Sequence, residues 1–173
     1  MTKKEYPYQN LSLKNMKGEE WEDIPGLDGY YCISNFGRIK RERREAVNSR
    51  GILKSYKEMI IAPRVVHTPN HYVSDVTYQL CANVTLEGKQ YCMSIRRLVY
   101  YCYVKPFDLK DETVLIVSKN GDGKDIRPGN LLFVDHLEFV HRIIEQKRVI
   151  KEFKSKDIPI KECLQQKRSR PSK

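Results

Sequence analysis

The sequence predicts an α+β fold, in which an N-terminal antiparallel sheet module built on a β-hairpin precedes a strand–loop–strand–helix (ββα) module. β-Branched and aromatic residues fall into short runs separated by turn residues, which is typical of antiparallel strands. Apolar residues take helical spacing over two segments, 96–104 and 135–153. The longest unbroken apolar run, 98–104, is far shorter than the roughly 20 residues of a membrane-spanning helix.

The front of the chain predicts a hairpin. Short strands over 30–34 and 38–41 are joined by a turn that contains Asn35 and Gly37, and both residue types tolerate the positive φ of a tight reversal. We expect Arg38 and the cations that follow it to leave this turn on one exposed ribbon.

The middle of the chain predicts more strands and a helix. We expect strands over 59–66, 72–84 and 89–95, with the last two joined as a hairpin. The helical spacing over 96–104 then predicts a helix that ends before Pro106.

The rear of the chain predicts two short strands and a second helix. Strands over 114–117 and 131–134 flank a loop rich in Gly and Asp. Asp135 is suited to be a helix N-cap, with Glu138 completing a capping box, and the amphipathic helix should end before Pro159.

These elements divide the chain into four segments. We expect a polar N-terminal segment over 1–18, a β module over 19–66, the strand–loop–strand–helix module over 67–156 and a basic tail over 157–173.

The positive charge is concentrated in two blocks. The chain has 32 Lys and Arg against 22 Asp and Glu, a net charge of +10. Residues 38–57 hold eight cations against two Glu, and residues 141–173 hold eleven against four acids. Clustered cations repel one another unless a polyanion neutralises them, so the first block favours nucleic-acid binding. The alternative is a solvated basic loop.

The cysteines indicate a reducing compartment. Their spacing contains neither a C-x-x-C pair nor a zinc-ligand pattern, and the N-terminus lacks the apolar stretch of a signal peptide. We expect reduced, mostly buried thiols in an intracellular protein. The five are Cys32, Cys81, Cys92, Cys102 and Cys163.

Several kinds of site are disfavoured. The loop over 120–125 resembles a calcium loop, but Lys124 stands at a ligand position and the distal Glu is missing. His67 and His71 are expected in a loop. His136 and His141 are five residues apart on the final helix, about 140° around it from ideal helix geometry, so they do not face a common point.

Ten residues near the front follow a recognisable motif, in order and without gaps. They are Trp21, Ile24, Pro25, Gly26, Tyr30, Tyr31, Ser34, Asn35, Gly37 and Arg38. This motif resembles the nuclease-associated modular domain of the fourth type (NUMOD4), which precedes many phage and bacterial HNH homing endonucleases. Residues 94–106 and 117–135 resemble later segments of those proteins, so the resemblance covers about residues 20–140.

The resemblance implies an HNH-like rear module. In the family this module holds one divalent metal ion and hydrolyses phosphodiester bonds, with a His as general base. The resemblance places the base at Lys119 and metal ligands at Ser118 and Phe139. It places the residue that braces the loop at Asn130, and an earlier family His at Arg96.

These substitutions indicate a degenerate nuclease site. A lysine ammonium repels a divalent ion and cannot accept a proton, and Phe139 has no lone pair. We therefore expect no resident metal or cofactor. The alternative is an active Mg²⁺- or Mn²⁺-dependent nuclease with a reorganised site, in which Asp122, Asp125 and His136 converge on a relocated ion.

The favoured function is DNA binding by a relative of HNH homing endonucleases, with double-stranded DNA as partner, no membrane association and a cytoplasmic location. A third alternative is self-association or partner binding through the final helix, 137–153. The degenerate site comprises Ser118, Lys119, Asp122, Asn130 and His136. The expected nucleic-acid contacts are Asn35, Arg38, Lys40, Arg41, Arg43, Arg44, Arg50, Lys54, Arg96, Arg97, Lys119 and Lys124, and Arg127 would add to the same positive face.

Overall fold

The computed structural model describes residues 5–47, 51–70 and 75–145, and it describes only the backbone of 68–70, 75–76 and 143–145. The strands are β1 (Trp21–Asp23), β2 (Tyr31–Ser34), β3 (Ile39–Arg41), β4 (Arg44–Val47), β5 (Leu53–Tyr56), β6 (Met59–Ile61), β7 (Arg64–Asn70), β8 (Asp75–Leu86), β9 (Lys89–Ser94), β10 (Leu115–Ser118) and β11 (Leu131–Val134). The helices are α1 (Ile95–Tyr103) and α2 (His136–Glu145). The predicted α+β class is confirmed.

The front sheet has the order β1-β2-β3-β6, and all its pairs are antiparallel. The predicted hairpin is confirmed as β2 and β3, with Ile33 opposite Ile39. Gly37 closes its turn at φ +76°, and an added Cβ would collide with the Ile126 side chain. The turn therefore needs glycine both for its backbone conformation and for its close approach to the rear module.

The predicted strand over 59–66 is wrong in its extent. Pro63 interrupts it, because proline has no N–H for a ladder hydrogen bond, and the chain passes from the front sheet into a second sheet. That sheet has the order β7-β8-β9, and its second hairpin turns at Glu87 and Gly88, both with positive φ. His67 lies in β7, so the loop expected around it is wrong, while His71 lies outside the described residues.

Two further pairs of strands complete the described architecture. β10 pairs with β11, which confirms the predicted strand–loop–strand unit. β4 pairs with β5 as a separate two-stranded ribbon that the sequence does not predict.

Helix α1 lies at the centre of the molecule. It contacts β2 of the front sheet, β8 and β9 of the second sheet, and β10 and β11 of the rear unit. Its Leu98 and Val99 are buried with Ile33 from the front and with Ile116 and Leu131 from the rear. The front and rear parts of the chain thus share one hydrophobic core, which fixes the rear loop relative to the front sheet.

Hydrogen bonds also join the front sheet to α1 and to the second sheet. The Tyr103 hydroxyl lies 2.8 Å from the carbonyl oxygens of Glu20 and Ile33. The Tyr31 hydroxyl donates to the Thr85 carbonyl oxygen at 2.8 Å.

Asp135 caps the start of α2 as predicted, whereas the Glu138 carboxylate of the expected capping box pairs with Arg142 at 3.4 Å. The backbone N–H of Glu138 donates to Asp135 Oδ1 at 2.7 Å, which satisfies one of the unpaired donors of the first turn. The predicted continuation of this helix toward Pro159 lies outside the described residues. Across residues 5–47, 51–70 and 75–145, no helix is long and apolar enough to cross a membrane.

Candidate nucleic-acid interface

The ribbon formed by β4 and β5 carries part of the first basic block. Arg44 opposes Tyr56 and Ala46 opposes Lys54, so these four side chains share one face. Val47 and Leu53 lie opposite each other on the other face, and they are 65% and 62% exposed. Arg43, at the base of the ribbon, Lys54 and the adjacent Lys57 are exposed cations.

Arg44 fixes the base of this ribbon to the front sheet. Its guanidinium carbon lies 4.4 Å from the ring centroid of Tyr30, 4.8 Å from that of Tyr56 and 5.7 Å from that of Tyr31. One terminal nitrogen also points at the Thr85 carbonyl oxygen at 3.4 Å. Such stacking on several rings stabilises a cation that is partly withdrawn from water. Arg44 therefore acts as a brace.

Two neighbouring cations are also engaged within the protein. Arg41 donates twice to the Lys57 carbonyl oxygen, at 3.1 and 2.9 Å. Lys40 pairs with Glu42 at 3.0 Å and with Glu58 at 3.5 Å. Burial opposes ionisation of Glu42, but hydrogen bonds from Cys32 and Lys40 outweigh it and lower the pKa of this carboxyl.

The expectation that Arg38 lies on an exposed ribbon is wrong. Its side chain is fully buried in an ion pair with Glu19 at 2.6 Å, and it donates to the carbonyl oxygens of Ser12 and Lys14. The same polar N-terminal segment is held by Asn35, whose amide donates to the Gly18 carbonyl oxygen at 2.9 Å. Arg50 lies outside the described residues.

The rear loop between β10 and β11 is closed by its own hydrogen bonds. Asn130 donates to the Asp125 carbonyl oxygen at 2.8 Å and to Asn120 Oδ1 at 3.1 Å, and its own Oδ1 accepts the Asn120 N–H. In this geometry Asn130 braces the loop. Ser118 is buried, and its hydroxyl donates to the Asp125 carbonyl oxygen at 3.3 Å.

Lys119 is exposed at the start of this loop. Its backbone N–H donates to the Asn130 carbonyl oxygen at 2.7 Å, and its Nζ donates to the Gly129 carbonyl oxygen at 2.8 Å. The amine thus occupies the position that the resemblance assigns to a general base, and it acts there as a hydrogen-bond donor.

The acidic side chains of the loop are already engaged. Asp125 accepts a bidentate pair of hydrogen bonds from Arg127 at 2.8 and 2.7 Å, and this partner lowers the pKa of the carboxyl. Asp122 accepts from the Tyr6 hydroxyl at 2.7 Å and from the Lys124 N–H.

These residues do not fit a divalent metal ion. Among the described residues, no group of three or more His, Cys, Asp or Glu side chains is placed to hold one, so the suggested convergence of Asp122, Asp125 and His136 is not found. The base and helix positions carry an ammonium and a phenyl ring, and the nearby carboxylate of Asp125 is neutralised by a guanidinium.

Arg96 and Arg97 are directed into the protein. Arg96 donates to the carbonyl oxygens of Ile116, Tyr78 and Gly123 at 2.9–3.1 Å, and burial lowers its pKa. It therefore fastens the rear loop to α1 and β8. Arg97 donates to three further carbonyl oxygens, of Val114, Leu109 and Asp111. Their terminal nitrogens are not available as the positive face expected from the sequence.

A cleft of about 580 Å³ lies between α1, the edge of the second sheet and α2. Arg96, Phe139 and Cys92 are among the residues that line it. Lys124 stands close to this region, with its Nζ 4.1 Å from the ring centroid of Tyr78.

The structure therefore separates the expected contacts. Arg43, Lys54 and Lys119 are exposed, although Lys54 lies over the Tyr56 ring and Lys119 donates to the Gly129 carbonyl oxygen. The other described cations of the set are half-buried or buried, and they pair with acids, stack on rings or donate to carbonyl oxygens. The sequence analysis predicted neither the ribbon nor its exposed apolar face, which consists of Val47 and Leu53. Gly51, a residue type common in turns, was the available signal between the two strands.

Residues 19–74 match the family model of the NUMOD4 motif. No curated protein matches the chain. One solved structure that is similar, described as DNA binding and cleavage by the HNH homing endonuclease I-HmuI, has 18% sequence identity and a TM-score of 0.49. That comparison covers 86% of this chain and 66% of the other. The module recognised at the front of the sequence is confirmed by the family match.

Proposed function

We propose that this chain, whose residues 19–74 carry a NUMOD4 motif, binds double-stranded DNA through the β4–β5 ribbon. The observation that carries the proposal is the ribbon's combination of exposed cations with an exposed apolar face, both within the matched residues. The motif supports a relation to HNH homing endonucleases. A DNA partner implies an intracellular location.

The shape of the ribbon suits a groove of DNA. A two-stranded antiparallel ribbon fits the major groove of B-DNA, which is about 12 Å wide. Lys54 and Lys57 are placed on and beside β5, where they can neutralise backbone phosphates. Val47 and Leu53 offer apolar contacts of the kind that thymine methyl groups make with side chains.

The proposal assigns no cleavage step to the rear module. Its strand–loop–strand–helix geometry is retained, but its donor set does not suit a divalent ion, as described above. We therefore propose that the protein holds DNA without hydrolysing it.

The experiment is a duplex-binding titration with neutralised lysines. Wild-type protein and the K54Q/K57Q variant are titrated against a fluorescent duplex in EDTA at several salt concentrations, with anisotropy as the readout. Each lost phosphate contact should lower the slope of log Kd against log salt by about 0.9, so we expect a loss of about 2.

The matched control is K105Q/K110Q, which removes the same charge from exposed lysines that follow α1. We expect its salt slope to stay near that of the wild type. Equal slopes for wild type and K54Q/K57Q, or equal losses in both variants, would contradict binding through the ribbon.

A further inference from the structure

Two cysteines lie side by side on the second sheet. Cys81 in β8 opposes Ser94, and Asn83 opposes Cys92 of β9. Directly opposed residues of an antiparallel pair share a face, and positions two apart on one strand share it too. Cys81 and Cys92 are therefore diagonal neighbours on the same face.

The two thiols differ in access. Cys81 is buried, whereas Cys92 is exposed and lines the cleft beside α1. Burial raises the pKa of the Cys81 thiol, and Cys92 raises it further through its charge and through a hydrogen bond between the two groups. The exposed sulfur is thus the one that a dissolved reagent reaches first.

The other described cysteines have different surroundings. The Cys32 sulfur lies 3.1 Å from Glu42 Oε1, and burial raises its pKa to about 12. Burial raises the pKa of Cys102 to about 11. Neither of these two thiols is exposed as Cys92 is, so a dissolved disulfide reaches Cys92 more easily.

We propose that Cys81 and Cys92 form a redox modification site for small disulfides of the glutathione type. The Cys92 thiolate attacks one sulfur of the oxidised disulfide, forms a mixed disulfide and releases one thiolate. Cys81 then attacks the Cys92 sulfur of that bond and expels the second thiol. The two protein thiols are oxidised to one disulfide, the reagent is reduced to two thiols, and the two cysteine protons pass to the products.

The diagonal placement makes the bond readily reversible. Diagonal neighbours stand about 7–8 Å apart between Cα atoms in a regular sheet, at or beyond the usual span of a disulfide. The bond closes by drawing β8 and β9 together, and strained disulfides are the easily reduced ones. Its closure changes one wall of the cleft and ties the strand that leads into α1.

The test uses full-length reduced protein and oxidised glutathione. Trypsin cuts after Arg64, Lys89 and Arg96, so Cys81 and Cys92 fall in separate peptides, 65–89 and 90–96. We expect unreduced digests of the treated protein to contain these two peptides joined, with the loss of two hydrogen masses. Dithiothreitol should separate them.

Variants distinguish the order of attack. The C81S variant should stop at a glutathione adduct on the 90–96 peptide. The C92S variant should give neither a glutathione adduct on the 65–89 peptide nor a crosslink. The control variant C102S should form the crosslink as the wild type does. Treated wild-type protein in which Cys92 accumulates only as the glutathione adduct, or stays unmodified, would overturn the proposal. Since C92S alters an exposed side chain, its result does not depend on the folding of C81S.

Discussion

Arginine side chains, one buried and two half-buried, organise this molecule at the scale of single residues. Arg38 joins the N-terminal segment to the front sheet, Arg44 joins the ribbon to it, and Arg96 fastens the rear loop to α1. Arginine suits this work because its planar fork of five donors can serve several carbonyl oxygens at once and stack on rings.

The buried ion pair gives the first prediction. Arg38→Ala leaves the Glu19 carboxylate buried without its partner, and breaking such a pair costs about 3–5 kcal/mol. We expect the free energy of unfolding, measured by urea denaturation, to fall by that amount. Arg43→Ala, which truncates an exposed cation five residues along, should change it by less than about 0.5 kcal/mol. Equal effects of the two substitutions would contradict the burial of Arg38.

The Asp125–Arg127 pair of the rear loop predicts how the stability of the protein depends on pH. Arg127 lowers the folded-state pKa of Asp125 below the unfolded value of about 3.9, so the stability gained is present above that value. It is lost as the pH falls through the folded pKa. We expect wild type to be more stable than Asp125→Asn near neutral pH and the difference to shrink below about pH 4. Urea midpoints of both proteins across this range measure it, and a difference that does not vary with pH would refute it.

The sequence could not rank these cations by exposure. Arg38 and Arg43 stand in the same basic block, and charge density there is equally compatible with a phosphate contact and with a buried pair. What distinguishes them is the polar segment before β1, whose carbonyl oxygens and Glu19 enclose Arg38. That segment has no periodicity from which its position could be predicted.

At the scale of elements, the ribbon is the feature on which the proposed function depends. Val47 and Leu53 pair on its exposed apolar face, and exposed apolar patches rimmed by polar residues can mark interaction sites.

We predict that this apolar face contributes to the affinity for duplex DNA but not to the salt dependence of binding. Burying a Val or Leu side chain is worth about 1.5–3 kcal/mol, so V47S/L53S should weaken duplex binding by about 10-fold or more. The slope of log Kd against log salt should equal that of wild type, because no counterion is released by these groups. Anisotropy titrations measure both quantities. Unchanged affinity would show that the exposed apolar face does not contact DNA.

Elements with clear periodicity or turn chemistry were predictable. The front hairpin, α1, β10 and β11 each lie within one residue of their predicted bounds. The ribbon was missed because its strands are rich in Arg, Glu, Lys and Ser, which have weak strand preference. Because most side chains of these two strands are polar or charged, the sequence lacks the apolar–polar alternation that indicates a strand.

At the scale of the whole molecule, one core joins the front sheet to the rear strand–loop–strand unit. Residues from the front sheet, α1 and the rear strands are buried together. A variant that loosens the rear loop should therefore be checked for folding before its DNA binding is interpreted.

Hydrogen bonds and an ion pair close the rear loop of this chain. Arg96, Arg127 and Asn130 hold the loop through hydrogen bonds to carbonyl and carboxylate oxygens. The lysine and phenylalanine substitutions are visible in the sequence, but the pairing of Asp125 with a neighbour two residues away is not. The central proposal is that DNA is bound and left intact.

The most direct test incubates supercoiled plasmid with the full chain in Mg²⁺, in Mn²⁺ and in EDTA. Each sample is run on agarose before and after removal of the protein. The account predicts retarded plasmid under all three conditions and fully supercoiled plasmid after deproteinisation. Nicked or linear plasmid that accumulates with either metal and not with EDTA would contradict it.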